Sequence, residues 1–122
     1  MVYFCREHFS TSLDGRRLDL LTISSIKDLS TQQEDFVHGC FPQQKQTSRC
    51  YKFSRKPVIF FSARVHPGEV PASHIMHGIL AFLSNFEDPQ VMDLLDNFVF
   101  KIVPIINPDG VARGHYRLDS LG

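Results

Sequence analysis

The sequence predicts an α/β fold built on a mixed sheet, with a β-hairpin, a parallel strand pair and crossover helices. Three observations carry that reading. An Asp14-Gly15 step separates two strand-like runs near the start. Two later runs, VIFFSA at 58–63 and FVFKIVPII at 98–106, have the β-branched and aromatic content of strands. Between them apolar side chains recur at helical spacing, and two strands flanking a helical crossover argue for a parallel pair with a right-handed connection.

With 122 residues the chain has room for one small domain, burying roughly two thirds of its unfolded surface. Thirteen Lys and Arg balance thirteen Asp and Glu, so no overall cationic field draws in nucleic acid or an anionic membrane. The apolar start at 1–5 is ended by Arg6 and Glu7, far short of a signal-peptide core, and no window approaches a membrane span. A soluble intracellular protein is expected. Cys5, Cys40 and Cys50 are odd in number and lack C-x-x-C spacing, which argues for reduced thiols and against both a disulfide framework and a thiolate zinc site.

Taken in order, residues 7–12 and 16–24 form the predicted hairpin, with Asp14-Gly15 supplying the positive φ of a tight turn. In the second strand Leu18, Leu20 and Thr22 face one way and Asp19, Leu21 and Ile23 the other. Both faces are largely apolar, so helices should cover one side. From 27 to 55 periodicity is lost. Polar residues and the QQKQTSR run read as an exposed connection with a solvated surface, holding one short helical turn at 31–37.

Residues 58–63 are predicted to be a buried strand, opened by Pro57. A helix follows at 71–84, with Pro71 in its first turn and Ile75, Met76, Ile79, Leu80 and Leu83 as a core-facing stripe. His74 and His77 lie on it and read as ordinary helix residues rather than ligands. Asp88 is placed to cap a second helix at 89–95, and 98–106 is the second parallel strand. The next four residues, Asn107-Pro108-Asp109-Gly110, are a strong turn signal, and a polar run with Arg113, His115, Tyr116 and Arg117 follows.

The chemistry gathers at RVHPGE, where an apolar strand stops and a Pro-Gly pair sets His66 and Glu69 three residues apart. Imidazole nitrogen and carboxylate oxygen are both zinc donors, and a catalytic zinc uses three protein ligands with a fourth position left open. Pro67 and Gly68 suit a loop, and ligand sites in α/β sheets collect at the carboxyl ends of strands. The Asn107–Gly110 turn ends the neighbouring strand, so the two loops should lie together. On spacing alone H-x-x-E is weak, and a solvated loop is its ordinary meaning.

Three ordered blocks change that balance. SLDGRRLDLLTIS, RVHPGE and NPDGVARGHYR together resemble the zinc metallocarboxypeptidases, and more narrowly the cytosolic carboxypeptidases that trim glutamate from tubulin tails. The resemblance covers nearly the whole chain and is weakest at 27–55. It implies zinc as cofactor, His66 and Glu69 as the first two ligands, and Arg117 as the arginine that polarises the scissile carbonyl. It also implies a pocket wall shaped by residues 107–110, with Asn107 and Arg113 assigned to substrate binding. The implied partners are glutamylated tubulin or other acidic tails, including branch-point glutamates. The implied location is the cytoplasm, with the nucleus or microtubules as further sites.

Family parts that the resemblance leads one to expect lie outside this stretch: an Asn-Arg pair gripping the substrate carboxylate, a second zinc histidine, the glutamate base and a preceding β-sandwich domain. The expectation is therefore an N-terminal portion of a catalytic domain at 1–122, inactive as a peptidase on its own. Val70, Leu118 and Leu121 stand where more polar residues are expected. An aspartoacylase-like zinc deacylase and a non-catalytic tubulin- or partner-binding fragment are the alternatives. No Gly-rich phosphate loop, serine elbow or Cys-His arrangement is present.

Overall fold

In a computed structural model, residues 1–42 and 49–118 are described. Alternating side chains in the first two segments give β1 (Val2–Thr11) and β2 (Arg17–Ser25), paired antiparallel from Val2↔Ser25 to Thr11↔Arg17 with a register shift between His8 and Ser10. The hairpin thus begins earlier than the sequence indicates. Its connection is also not the type I′ turn that Asp-Gly favours, because only Gly15 takes a positive φ (80°), whereas that turn needs two.

β2 pairs antiparallel with β6 (Val99–Val103), and β6 pairs parallel with β5 (Val58–Ser62), giving a four-stranded mixed sheet in the order β1-β2-β6-β5. The parallel pair is the predicted one, in register from Val58↔Val99 to Ser62↔Val103. All five residues of β6 are buried.

One face of the sheet is covered by α1 (Val70–Leu83) and α2 (Pro89–Asn97). Ile23, Phe100 and Ile102 meet Met76, Leu83, Val91 and Leu95 there, with Leu21, Ile59 and Phe61 beside them. Phe61 stacks on Phe100 at 6.3 Å between centroids. The stripe on α1 is narrower than predicted. Met76 and Leu83, seven apart, are buried, Ile79 and Leu80 are half-buried, and Ile75 is 66% exposed because it sits one position off that line.

α2 starts as expected, with the Asp88 carboxylate accepting from the Gln90 backbone N–H at 2.8 Å and Pro89 in the first turn. Its far end is tied to β2. The Ser24 hydroxyl donates to the Phe98 carbonyl at 2.8 Å, with the Leu95 carbonyl 3.0 Å away, and the buried Lys56 ammonium donates to the Leu95 carbonyl at 2.8 Å.

The segment at 27–55 corrects the sequence reading. No helical turn forms at 31–37. Instead β3 (Leu29–Gln33) pairs antiparallel with β4 (Tyr51–Phe53) as a two-stranded ribbon. Nor is the segment wholly solvated, for Phe41, Arg49 and Cys50 are buried on the sheet's second face. The cause is Glu7, which points out of β1 on that face. Its carboxylate accepts from Arg49 Nε at 2.8 Å and from the Cys50 backbone N–H at 3.2 Å, and the Arg49 guanidinium lies 3.5 Å from the centre of the Phe41 ring. Residues 43–48 of the QQKQTSR run lie outside the described residues.

β5 is a second correction. It is an edge strand with alternating exposure, not a strand buried on both faces, and Val58 and Phe60 are each 57% exposed. Phe41, Arg49 and Cys50 cover the second face over Glu7, Leu20, Thr22, Lys101 and Val103, all buried, and Phe60, paired in register with Lys101, is bare. The third correction is Asn107–Gly110. These residues open a short helix, α3 (Pro108–Arg113), with the Asn107 side chain accepting from the Gly110 backbone N–H and Gly114 closing it in the left-handed region.

Candidate metal and active site

The sheet's grip on β5 ends with two bonds, Ala63 N–H to the Val103 carbonyl and Ile106 N–H to the Ala63 carbonyl. Beyond them Arg64 adopts a positive φ of 61° and the chain turns out of the sheet. His66 and Glu69 follow at the carboxyl end of β5. Glu69 occupies the N-cap position of α1, yet its side chain makes no capping bond. It turns to His66 instead, with Nδ1 and Oε1 2.8 Å apart.

On the other side of the ring, Arg117 Nη2 lies 3.2 Å from His66 Nε2. A guanidinium only donates, so Nε2 is the accepting nitrogen and Nδ1 carries the proton shared with Glu69. The three side chains thus form a row of guanidinium, imidazole and carboxylate. Both members of the His66–Glu69 pair are open to solvent in part, at 35% and 47% of their side chains.

The row borders a cavity of about 400 Å³ lined by Val65, His66, Ile106, Asn107 and Arg117. Asn107 builds its wall. The side-chain amide donates to the Val65 carbonyl at 3.3 Å and the Leu118 carbonyl at 3.4 Å, while its oxygen caps α3. The loop after β5 and the segment after β6 also interlock through two glycines. Gly68 N–H donates to the Tyr116 carbonyl at 2.9 Å, and a Cβ there would stand 2.6 Å from Tyr116 Cδ2. A Cβ on Gly110 would stand 2.7 Å from Pro67 Cγ.

Arg113 is elsewhere. Its Nη2 meets Asp14 Oδ1 of the hairpin connection at 2.5 Å, and it does not line the cavity. Beside it Asp109, 2% exposed, accepts from the Ser12 hydroxyl at 2.6 Å, the Asp14 backbone N–H at 3.1 Å and Arg16 Nη1 at 2.9 Å. This latch between hairpin and α3 has no signature in the sequence, since its members are about 95 residues apart. His74 and His77 are exposed on α1. Val70 and Leu118 are exposed, and Leu121 lies outside the described residues.

Comparison with known proteins decides what this arrangement belongs to. The profile of the family described as zinc carboxypeptidase matches residues 5–121. The chain belongs to the zinc carboxypeptidase family. Among its relatives, cytosolic carboxypeptidase-like protein 5 of Danio rerio is 47% identical over 121 residues, covering 99% of this chain and 14% of the relative. The Homo sapiens protein of the same name is 46% identical over the same length. Cytosolic carboxypeptidase 6 of Mus musculus is 39% identical, with 18% of its length matched. The chain therefore spans about a seventh of the first of these relatives.

Solved structures agree on the fold. A metallo-carboxypeptidase from Burkholderia cenocepacia superimposes with a TM-score of 0.69 at 26% identity, covering 98% of this chain and 26% of that one. One from Pseudomonas aeruginosa gives 0.65 at 25% identity, over 96% and 25%. For this family the donor set is suitable: a neutral nitrogen and a carboxylate oxygen converge within 2.8 Å at a cavity edge, and no capping bond diverts the carboxylate. Among the described residues no third His, Cys, Asp or Glu joins them. No described helix is long and apolar enough to cross a membrane.

Proposed function

We propose that His66 and Glu69 are two of the ligands of a catalytic zinc in a cytoplasmic carboxypeptidase that removes glutamate from acidic protein tails, glutamylated tubulin among them. The observation that carries this reading is the convergence of His66 Nδ1 and Glu69 Oε1 at 2.8 Å, with Arg117 on the ring's other nitrogen. The ion, when bound, supplies the Lewis acidity that polarises a carbonyl and acidifies water.

The chain's own residues prepare the rest. Glu69 orients the imidazole through Nδ1, the nitrogen that would serve as the metal donor in the tautomer protonated on Nε2. The Arg117 guanidinium lines the cavity, where it would donate to the oxygen of a scissile carbonyl. Asn107 holds the wall, with Val65 and Ile106 as its apolar parts. A cationic group at the mouth favours an acidic chain end.

Two protein donors hold an ion more weakly than three. The 122-residue chain is accordingly expected to release no glutamate from a glutamylated tubulin-tail peptide with added zinc. A longer form of the protein that carries a third ligand and a base is expected to release it, with Glu69→Ala reducing release below detection. Glutamate release by that form unaffected by Glu69→Ala would defeat the reading.

A further inference from the structure

We propose that Arg64 is the positioning residue of the metal loop, its guanidinium fixing the turn from which His66 and Glu69 converge. The inference rests on the reading of those two residues as zinc ligands and deepens it.

Arg64 is the first residue past the sheet's hold, and its φ of 61° lies where a side chain with a Cβ is disfavoured and glycine is the usual occupant. An arginine there needs a compensating reason, and its side chain supplies one. Nε donates to the Pro67 carbonyl at 2.8 Å, and Nη1 donates to the Ser73 hydroxyl at 2.6 Å. Pro67 lies between the two ligands, and Ser73 lies in the first turn of α1, the helix that Glu69 opens. One planar, rigid fork thus spans the loop and ties it to the helix.

The two bonds hold the Pro67 carbonyl, between the ligands, to the helix that Glu69 opens. Both are partly buried, which strengthens them relative to exposed contacts. Arg64 does not line the cavity beside His66, so it acts through the ligands and not on a substrate. Loss of a partner that orients metal ligands typically costs about 10- to 100-fold in metal affinity.

The test is isothermal titration of the full chain with zinc, with circular dichroism and thermal midpoint as controls for folding. Arg64→Ala is expected to weaken zinc binding about 10- to 100-fold, and Arg64→Lys, which can restore one of the two bonds, to recover part of the loss. Should Arg64→Ala fail to fold, Ser73→Ala decides: weaker zinc binding supports the proposal, and unchanged binding overturns it. If His66→Ala abolishes zinc uptake while folded Arg64→Ala binds as the parent does, positioning by Arg64 is overturned and the ligand assignment stands. If the parent and His66→Ala take up zinc alike, or the parent takes up none, the ligand assignment itself falls.

Discussion

Single side chains decide how the sheet's second face is closed. Glu7 and Arg49 are 5% and 6% exposed, and their ion pair is what draws a polar segment onto β1. Burial alone would push the Glu7 carboxyl up. The Arg49 guanidinium, the Cys50 backbone N–H and the Cys50 thiol outweigh it and hold the group below its ordinary 4.5. A depressed carboxylate gives stability that is full above its unfolded value and is lost as pH falls through the lower folded value. Arg49→Met leaves that carboxylate buried without its cation and is expected to cost about 3–5 kcal/mol at pH 7 by urea denaturation. Below pH 4.5 the gap between parent and variant should narrow, because the parent then loses what the variant already lacks. A gap that widens on acidification would contradict this. Gly68 is decisive in another way, since Tyr116 Cδ2 and the Tyr116 carbonyl oxygen would lie 2.6 and 2.9 Å from an added Cβ. Gly68→Ala should cost about 1–3 kcal/mol in the same measurement.

At the scale of elements, the site depends on how α3 is fastened. Asp109 joins this six-residue helix to the β1–β2 connection through the Ser12 hydroxyl, the Asp14 backbone N–H and Arg16. Removing a buried carboxylate with charge-assisted bonds costs about 2–3 kcal/mol. Asp109→Ala is expected to lose that much in urea, and hydrogen exchange should rise in both α3 and the hairpin connection. Exchange confined to α3 would show that the latch couples nothing. What could be read from the sequence at this scale was local. β2, the parallel partners, the Asp88 cap and the start of α1 follow from periodicity and capping chemistry within a few residues of each other. The β3–β4 ribbon did not, because Leu29–Gln33 is largely polar and exposed and pairs across a long connection that carries no pattern of its own. The α3 helix was hidden by a Pro-Asp-Gly run that is equally good turn chemistry, with Asn107 acting as a cap instead of a turn residue.

The whole molecule is a sheet covered on one face by two helices and on part of the other by Phe41, Arg49 and Cys50, with the chemistry gathered where β5 and β6 end. His66, Glu69, Asn107 and Arg117 could be named from motif order, and the structure brings them to one cavity edge. Arg113 could not be placed, since its partner Asp14 is 99 residues away in a connection with no metal-site signature. The role of Arg64 is hidden for a related reason: a left-handed backbone leaves no trace in sequence unless a glycine marks it. The same architecture makes a claim about metal that does not depend on turnover. X-ray absorption at the zinc edge, on zinc-loaded full chain, should show imidazole nitrogen and carboxylate oxygen in the first shell, with the imidazole signature lost in His66→Ala. An imidazole signature that persists unchanged in His66→Ala would place the ion elsewhere and contradict the account.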